Sequence, residues 1–199
     1  FVYMTYYANS SNGAEDPKFQ SARLVYAPVN DVENKTFLTV QSVGETLDGL
    51  AVNCVYDTIM AKVGDDLLMI LWTAKIGDNY YRLYRPFNVK TKTLGDIGVN
   101  KLRVKGIENN FSFSGIQNAF TDSGVGYKTM YSDIGIMQKF TSRTENGERY
   151  YYSGAYSGDF NFIIKSKDFI TWEYVAAPDF LNLSKWENAT YLKDDKIYY

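Results

Sequence analysis

Acid–base chemistry in this chain rests on carboxylates and phenols. It contains no histidine, which removes the commonest general base and metal ligand and excludes Ser-His-Asp and Cys-His catalysis within these residues. Three acidic residues, Asp57, Asp133 and Glu187, head similar phrases: each precedes a strand-forming run, a Gly or Asp turn, and an aromatic-rich run. If the phrases repeat one structural unit, the three carboxylates take equivalent places at strand starts and converge on one cleft. Such a set suits glycosidic bond hydrolysis, in which one carboxylic acid protonates the leaving oxygen while a carboxylate activates water or attacks the sugar. Trp186, beside Glu187, supplies a ring that can stack on a sugar face, and core packing explains it equally well. Acidic residues at strand starts also cap turns through side-chain to backbone hydrogen bonds, so that reading of the three stays open.

The elements that position these residues read as strands. Phe1 to Tyr7, Ser21 to Ala27 and Thr36 to Ser42 form an early unit. After Asp57 the chain turns through Gly64-Asp65-Asp66 into Leu67 to Ala74, then Tyr80 to Arg85, with a fourth strand expected around Val99 to Val104. After Asp133 it turns through Asn146-Gly147 into Arg149 to Tyr156, then Phe160 to Ser166 and Trp172 to Ala176. After Glu187 it turns at Asp194-Asp195 into Lys196 to Tyr199. Four-stranded units repeated along a chain describe β-propeller blades, whose period is roughly 40–50 residues. The interval from Asp57 to Asp133 is longer and needs an insertion. Gly106 to Ser132 supplies it, with a short helix expected from Ser114 to Phe120. The expected blade units are thus about 1–56, 57–132, 133–186 and a partial 187–199, in one all-β domain cut at both ends. Three to four blades leave open edges, so missing blades or a partner chain must close the ring. A sandwich or jelly roll is the rival all-β arrangement.

Composition bounds the function. The chain has 199 residues, 45% of them hydrophobic, which is enough for a substantial core. A net charge of -2, with scattered lysines and arginines, leaves no footprint for nucleic acid. No stretch reaches the ~20 apolar residues of a membrane span, and the first residues lack a signal peptide's basic start. Cys54 stands alone and reads as a small core hydrophobe. No motif calls for a metal or cofactor. Tyr80, Arg82 and Arg85 read as outer-strand packing and surface charge, while Trp72 suits either a sugar platform or the core. Five Asn-x-Ser/Thr triplets, at Asn9, Asn34, Asn110, Asn182 and Asn188, are glycosylation acceptors in a secreted setting.

The run Ser166-Lys-Asp168-Phe-Ile-Thr-Trp172 resembles the end-of-blade signature of five-bladed glycoside hydrolases of the arabinanase, xylosidase and invertase type, and more loosely the Asp box of sialidases. Trp186-Glu187-Asn-Ala-Thr is similar to that family's strand bearing the general acid. Tyr56-Asp57-Thr-Ile resembles its Asp-Pro-x-Val blade start, with Thr58 where proline is usual. The resemblance implies a secreted or periplasmic propeller acting on an oligo- or polysaccharide. It makes Glu187 the acid, one aspartate the base or nucleophile, and the other the residue that tunes Glu187. It also implies that Asp168 and Ser166 tie a turn while Trp172 packs between blades. A sialidase-like reading pairs a tyrosine nucleophile with Glu187, and a third makes the propeller a non-catalytic binder of glycan or protein.

Overall fold

Strands supply every regular element among the described residues. No helix is present among them, and one sheet is curled into a half-barrel. The computed structural model describes residues 1–8, 21–103, 120–122, 127–130, 135–157, 160–176 and 191–198. The helix expected from Ser114 falls outside them except at Phe120, which is in a strand. The chain divides into two units, Phe1–Gly98 and Val99–Tyr199.

In the first unit, β1 (Val2–Ala8), β2 (Ser21–Ala27) and β3 (Thr36–Ser42) make an antiparallel sheet, β2 and β3 with the expected boundaries and β1 shifted by one residue. A second sheet runs β4 (Thr46–Leu47), β5 (Leu50–Lys62), β6 (Leu67–Ile76), β7 (Asn79–Asn88) and β8 (Thr93–Leu94), each strand beside the next, with β9 (Gly98–Val99) also on β7. Two-residue turns set its register. Asp48 and Gly49 both have positive φ, as a type I′ turn requires, and Gly77 has φ +57 at the first position of the turn between Ile76 and Asn79. β6 is a nearly unbroken apolar run because both its faces are covered: Leu68, Ile70, Trp72 and Ala74 are buried on one, Met69 and Leu71 on the other.

Hydrogen bonds and rings join the two sheets of this unit. Trp72, fully buried, donates its Nε1–H to Gln41 Oε1 at 2.6 Å, so its indole is core and not a sugar platform. Arg85 is not a surface charge, because it donates to the carbonyls of Val40 at 2.6 Å and Gly95 at 2.7 Å. The Lys92 ammonium lies 4.0 Å from the ring centre of Phe1 and 5.0 Å from those of Tyr3 and Tyr26, and donates to Tyr3 Oη at 2.7 Å. Tyr3 and Tyr26 rest in turn on buried Phe87 of β7.

Two expectations are corrected here. The strand expected to begin at Asp57 begins at Leu50. Asp57 interrupts it as a bulge, because aspartate tolerates the left-handed conformation that a bulge needs. Of the fourth strand expected around Val99 to Val104, only Val99 lies on β7, as part of β9, while Lys101–Arg103 leaves the meander and pairs with Thr171–Glu173.

The second unit carries β10 (Lys101–Arg103), β11 (Phe120–Asp122), β12 (Tyr127–Met130), β13 (Gly135–Glu145), β14 (Glu148–Ser157), β15 (Phe160–Ser166), β16 (Thr171–Ala176), β17 (Tyr191–Lys193) and β18 (Lys196–Tyr198). The expected four-strand meander is β13 to β16, paired in sequence order. β10 joins it parallel to β16, and β17 and β18 form a separate hairpin. Asn146-Gly147 and Asp194-Asp195 have positive φ throughout and make the two tight turns expected at these dipeptides.

Replacing Lys92 by Met keeps the aliphatic stem and removes the cation. The midpoint of urea unfolding should fall by the equivalent of about 1–2 kcal/mol, while Lys92→Arg should retain most of the stability. An unchanged midpoint in Lys92→Met would show that the three rings hold without the charge.

Candidate functional site

Asp57 is the one predicted catalytic residue among the described residues. It is exposed, with φ +51, and lies in a bulge where Tyr56 faces Thr73 and Ile59 faces Leu71, so that Asp57 and Thr58 together oppose Trp72. A bulge re-aims the side chains it contains and increases local twist. β13 also carries a bulge, between Ile136 and Phe140, beyond Asp133 in the chain, so bulge and acidic residue do not coincide there as they do in β5. Asp133, Trp186 and Glu187 lie outside the described residues.

Pairing fixes what shares the face beside Asp57. Cys54, Lys75 and Tyr80 form one cross-strand row and Tyr56, Thr73 and Arg82 the next. The Tyr56 and Tyr80 rings are 6.1 Å apart at 31°, and Lys75 Nζ is 5.8 Å from the Tyr80 ring centre. Arg82, read from sequence as surface charge, is buried and donates from Nη1 to Thr73 Oγ1. Burial, together with hydrogen bonds to Cys54 and Tyr80, raises the Tyr56 pKa above its ordinary value. A phenol held protonated donates hydrogen bonds well and is a poor nucleophile. The sialidase-like reading therefore gains nothing from Tyr56. Cys54 is half-buried on this polar face instead of in the core.

In the second unit the Ser166–Trp172 segment forms the expected turn. Ser166 Oγ donates to the Thr171 carbonyl at 2.7 Å and accepts from the Phe169 N–H at 2.9 Å. Asp168 Oδ1 accepts from the N–H groups of Ile170 and Thr171 at 2.8 and 2.9 Å. The turn places Phe169 at φ +60 and buries its ring completely against Phe140, Tyr151 and Trp172. Asn100, unmarked by any sequence signal, is also fully buried and donates to the carbonyls of Phe169 and Ile170 at 2.7 and 3.1 Å. Ser166, Asp168 and Trp172 thus have structural work that accounts for their pattern.

The β17–β18 hairpin, which follows Glu187, is tied to β13. Arg143 pairs with the Asp195 carboxylate at 3.3 Å and donates to its carbonyl. The turn end of one hairpin therefore sits against the turn end of the other. No group of three or more Cys, Asp or Glu among the described residues has the spacing to hold a metal ion, and no helix among them is long and apolar enough to cross a membrane. No family model, curated protein or solved structure matches the chain.

A conformational role and a chemical role for Asp57 separate in two substitutions. Asp57→Gly should keep stability within ~0.5 kcal/mol, since glycine accepts positive φ freely, whereas Asp57→Val should cost about 1–2 kcal/mol. Thermal unfolding of the two variants checks this, and equal stability would mean that the bulge does not depend on that φ.

Proposed function

We propose that the chain forms consecutive blades of a carbohydrate-active β-propeller that hydrolyses glycosidic bonds, with Glu187 as general acid and Asp133 as its partner carboxylate. The observation that carries this reading is the pairing of hairpins by Arg143 and Asp195. β13 and β17 each follow an acidic residue in the sequence and lead toward a tight turn, and their turn ends are adjacent, the relation expected of neighbouring strands that each follow one carboxylate. Support also comes from β13–β16, an antiparallel meander of four strands with the Ser166–Asp168 turn before β16 and Trp172 buried, within a seven-stranded sheet that β10, β12 and β11 continue beyond β16.

A second reading, a non-catalytic propeller that binds glycan, is favoured by one observation. Asp57 stands inside a strand at positive φ, where its backbone conformation alone explains the residue.

A screen of the protein and its Glu187→Gln variant against chromogenic arabinosides, xylosides, fructosides, mannosides and sialosides separates the two. Hydrolysis of one sugar class, reduced at least ~100-fold in the variant, is the expected result for removal of a general acid. Turnover that is absent throughout, or equal in the variant, would leave the binding reading.

A further inference from the structure

The β1–β3 sheet has two unlike faces. Tyr3, Leu24 and Tyr26 belong to the inner one, where the tyrosines rest on Phe87 and Leu24 is fully buried. Strand alternation puts Val2, Met4, Val25 and Phe37 on the outer one. Register lines up Met4, Val25 and Phe37 as one row across the three strands. Met4 and Phe37, at the ends of that row, are 57% and 51% exposed, and Val2 in the next row on this face is 45% exposed. Val29 and Val32, in the connection from β2 to β3, are also open. With Phe1, these residues make up more than half of the exposed large apolar side chains among the described residues. Single exposed apolar residues need no explanation, but a contiguous row flanked by more of the same marks a contact surface.

We propose that this outer face packs against the same face of a second copy of the chain, the two sheets related by a two-fold axis perpendicular to their strands.

The charges select both the occupant and its orientation. Arg23, in the row of Tyr6 and Thr39, is the only charged residue that β1, β2 and β3 contain. Its Nε donates to Ser21 Oγ at 2.7 Å, and it makes no ion pair among the described residues. Asp31 and Glu33 stand exposed at the opposite end of the sheet, in the β2–β3 connection. Lys35, 3.9 Å from Glu33, is the only cation there, so that end carries an excess of negative charge. A two-fold axis perpendicular to the strands lays the Arg23 end of one copy over the acidic connection of the other, twice per dimer. An axis parallel to the strands would set Arg23 against Arg23. A partner of one uniform charge would be attracted at one end of the face and repelled at the other, whereas a second copy complements both.

Size sets the strength. Three strands of seven residues, at ~4.8 Å between strands and ~3.3 Å per residue, cover roughly 300 Å² per copy. The total of about 600 Å² is below the ~1,200 Å² at which stable complexes begin. The dimer is therefore weak, with Kd on the order of 10–100 μM. None of these residues belongs to the proposed acid pair, so the inference stands apart from the hydrolase reading.

The test is sedimentation equilibrium of the protein from ~5 to ~500 μM, a range that brackets the expected Kd. A reversible monomer–dimer equilibrium that weakens as salt rises is the expected result. Met4→Lys and Phe37→Lys change exposed positions and should unfold at the parent's temperature. Each should weaken the dimer at least ~10-fold, because an ammonium group would be buried without a partner. Met4 lies two strands from the edge strand β3, so its variant separates packing of the face from pairing along that edge. Arg23→Glu should weaken the dimer ~3–10-fold, and Glu33→Lys added to it should recover most of that loss. A monomer at every concentration would overturn the proposal and leave the face to a partner of another kind. A dimer indifferent to both lysine variants, or one that Glu33→Lys fails to restore, would overturn it as well.

Discussion

Side chains alternate along a strand with a period of two, so a slip of one residue in a hairpin exchanges every inward group for an outward one. Among the described residues, four two-residue turns forbid such a slip: Asp48-Gly49, Gly77-Asp78, Asn146-Gly147 and Asp194-Asp195. Each needs positive φ in at least one central residue, and glycine, asparagine and aspartate supply it. With the registers set, Trp172 belongs to a buried face while Tyr150 and Glu173 share the other. In the first unit, the same rule gathers Cys54, Tyr56, Tyr80 and Arg82 on one side of β5–β7.

Between the turns, polar side chains that range from fully buried Asn100 to exposed Asp168 meet backbone groups of the loops and bulges. Arg85 takes two carbonyls in the first unit; Asn100 takes two in the second, while Ser166 and Asp168 satisfy the N–H groups around them. A buried backbone group left without a partner costs roughly 1–3 kcal/mol, so these few side chains decide whether loops can close over apolar cores. The aromatic residues complete the arrangement. Phe169, forced into the left-handed region, packs edge to face on Trp172 at 5.5 Å, and its burial gives that strained position a return.

Much of this was legible in the sequence. The first three strands and the Asn146-Gly147 and Asp194-Asp195 turns follow from local chemistry that needs no distant partner, and the turn tied by Ser166 and Asp168 follows from the end-of-blade signature that their run resembles. The rest depends on tertiary context. The bulge at Asp57 was hidden because aspartate at the head of a phrase and aspartate inside a bulge look alike in one dimension. β10 could not be assigned to β16 from sequence, since a parallel pairing between residues so far apart leaves no local turn signal. Arg82 and Arg85 resembled surface charges because nothing in Tyr-Arg-Leu-Tyr-Arg shows that Thr73 hydroxyl and backbone carbonyls wait for them. Of the candidate site, Asp57 alone of the three acids lies among the described residues, and what the structure adds is the contact of the β13 and β17 hairpins through Arg143 and Asp195.

The central proposal is that Asp133 and Glu187 act together as a pair of carboxylates on one sugar. It is tested most directly by a crystal structure of the protein with a bound sugar, in which the separation of the Asp133 and Glu187 carboxyl groups is measured. A separation of ~5–9.5 Å, the span of acid and partner in glycoside hydrolysis, with the sugar between them, is the predicted result. Carboxyl groups well beyond that range, each engaged with its own turn's backbone, would contradict the account.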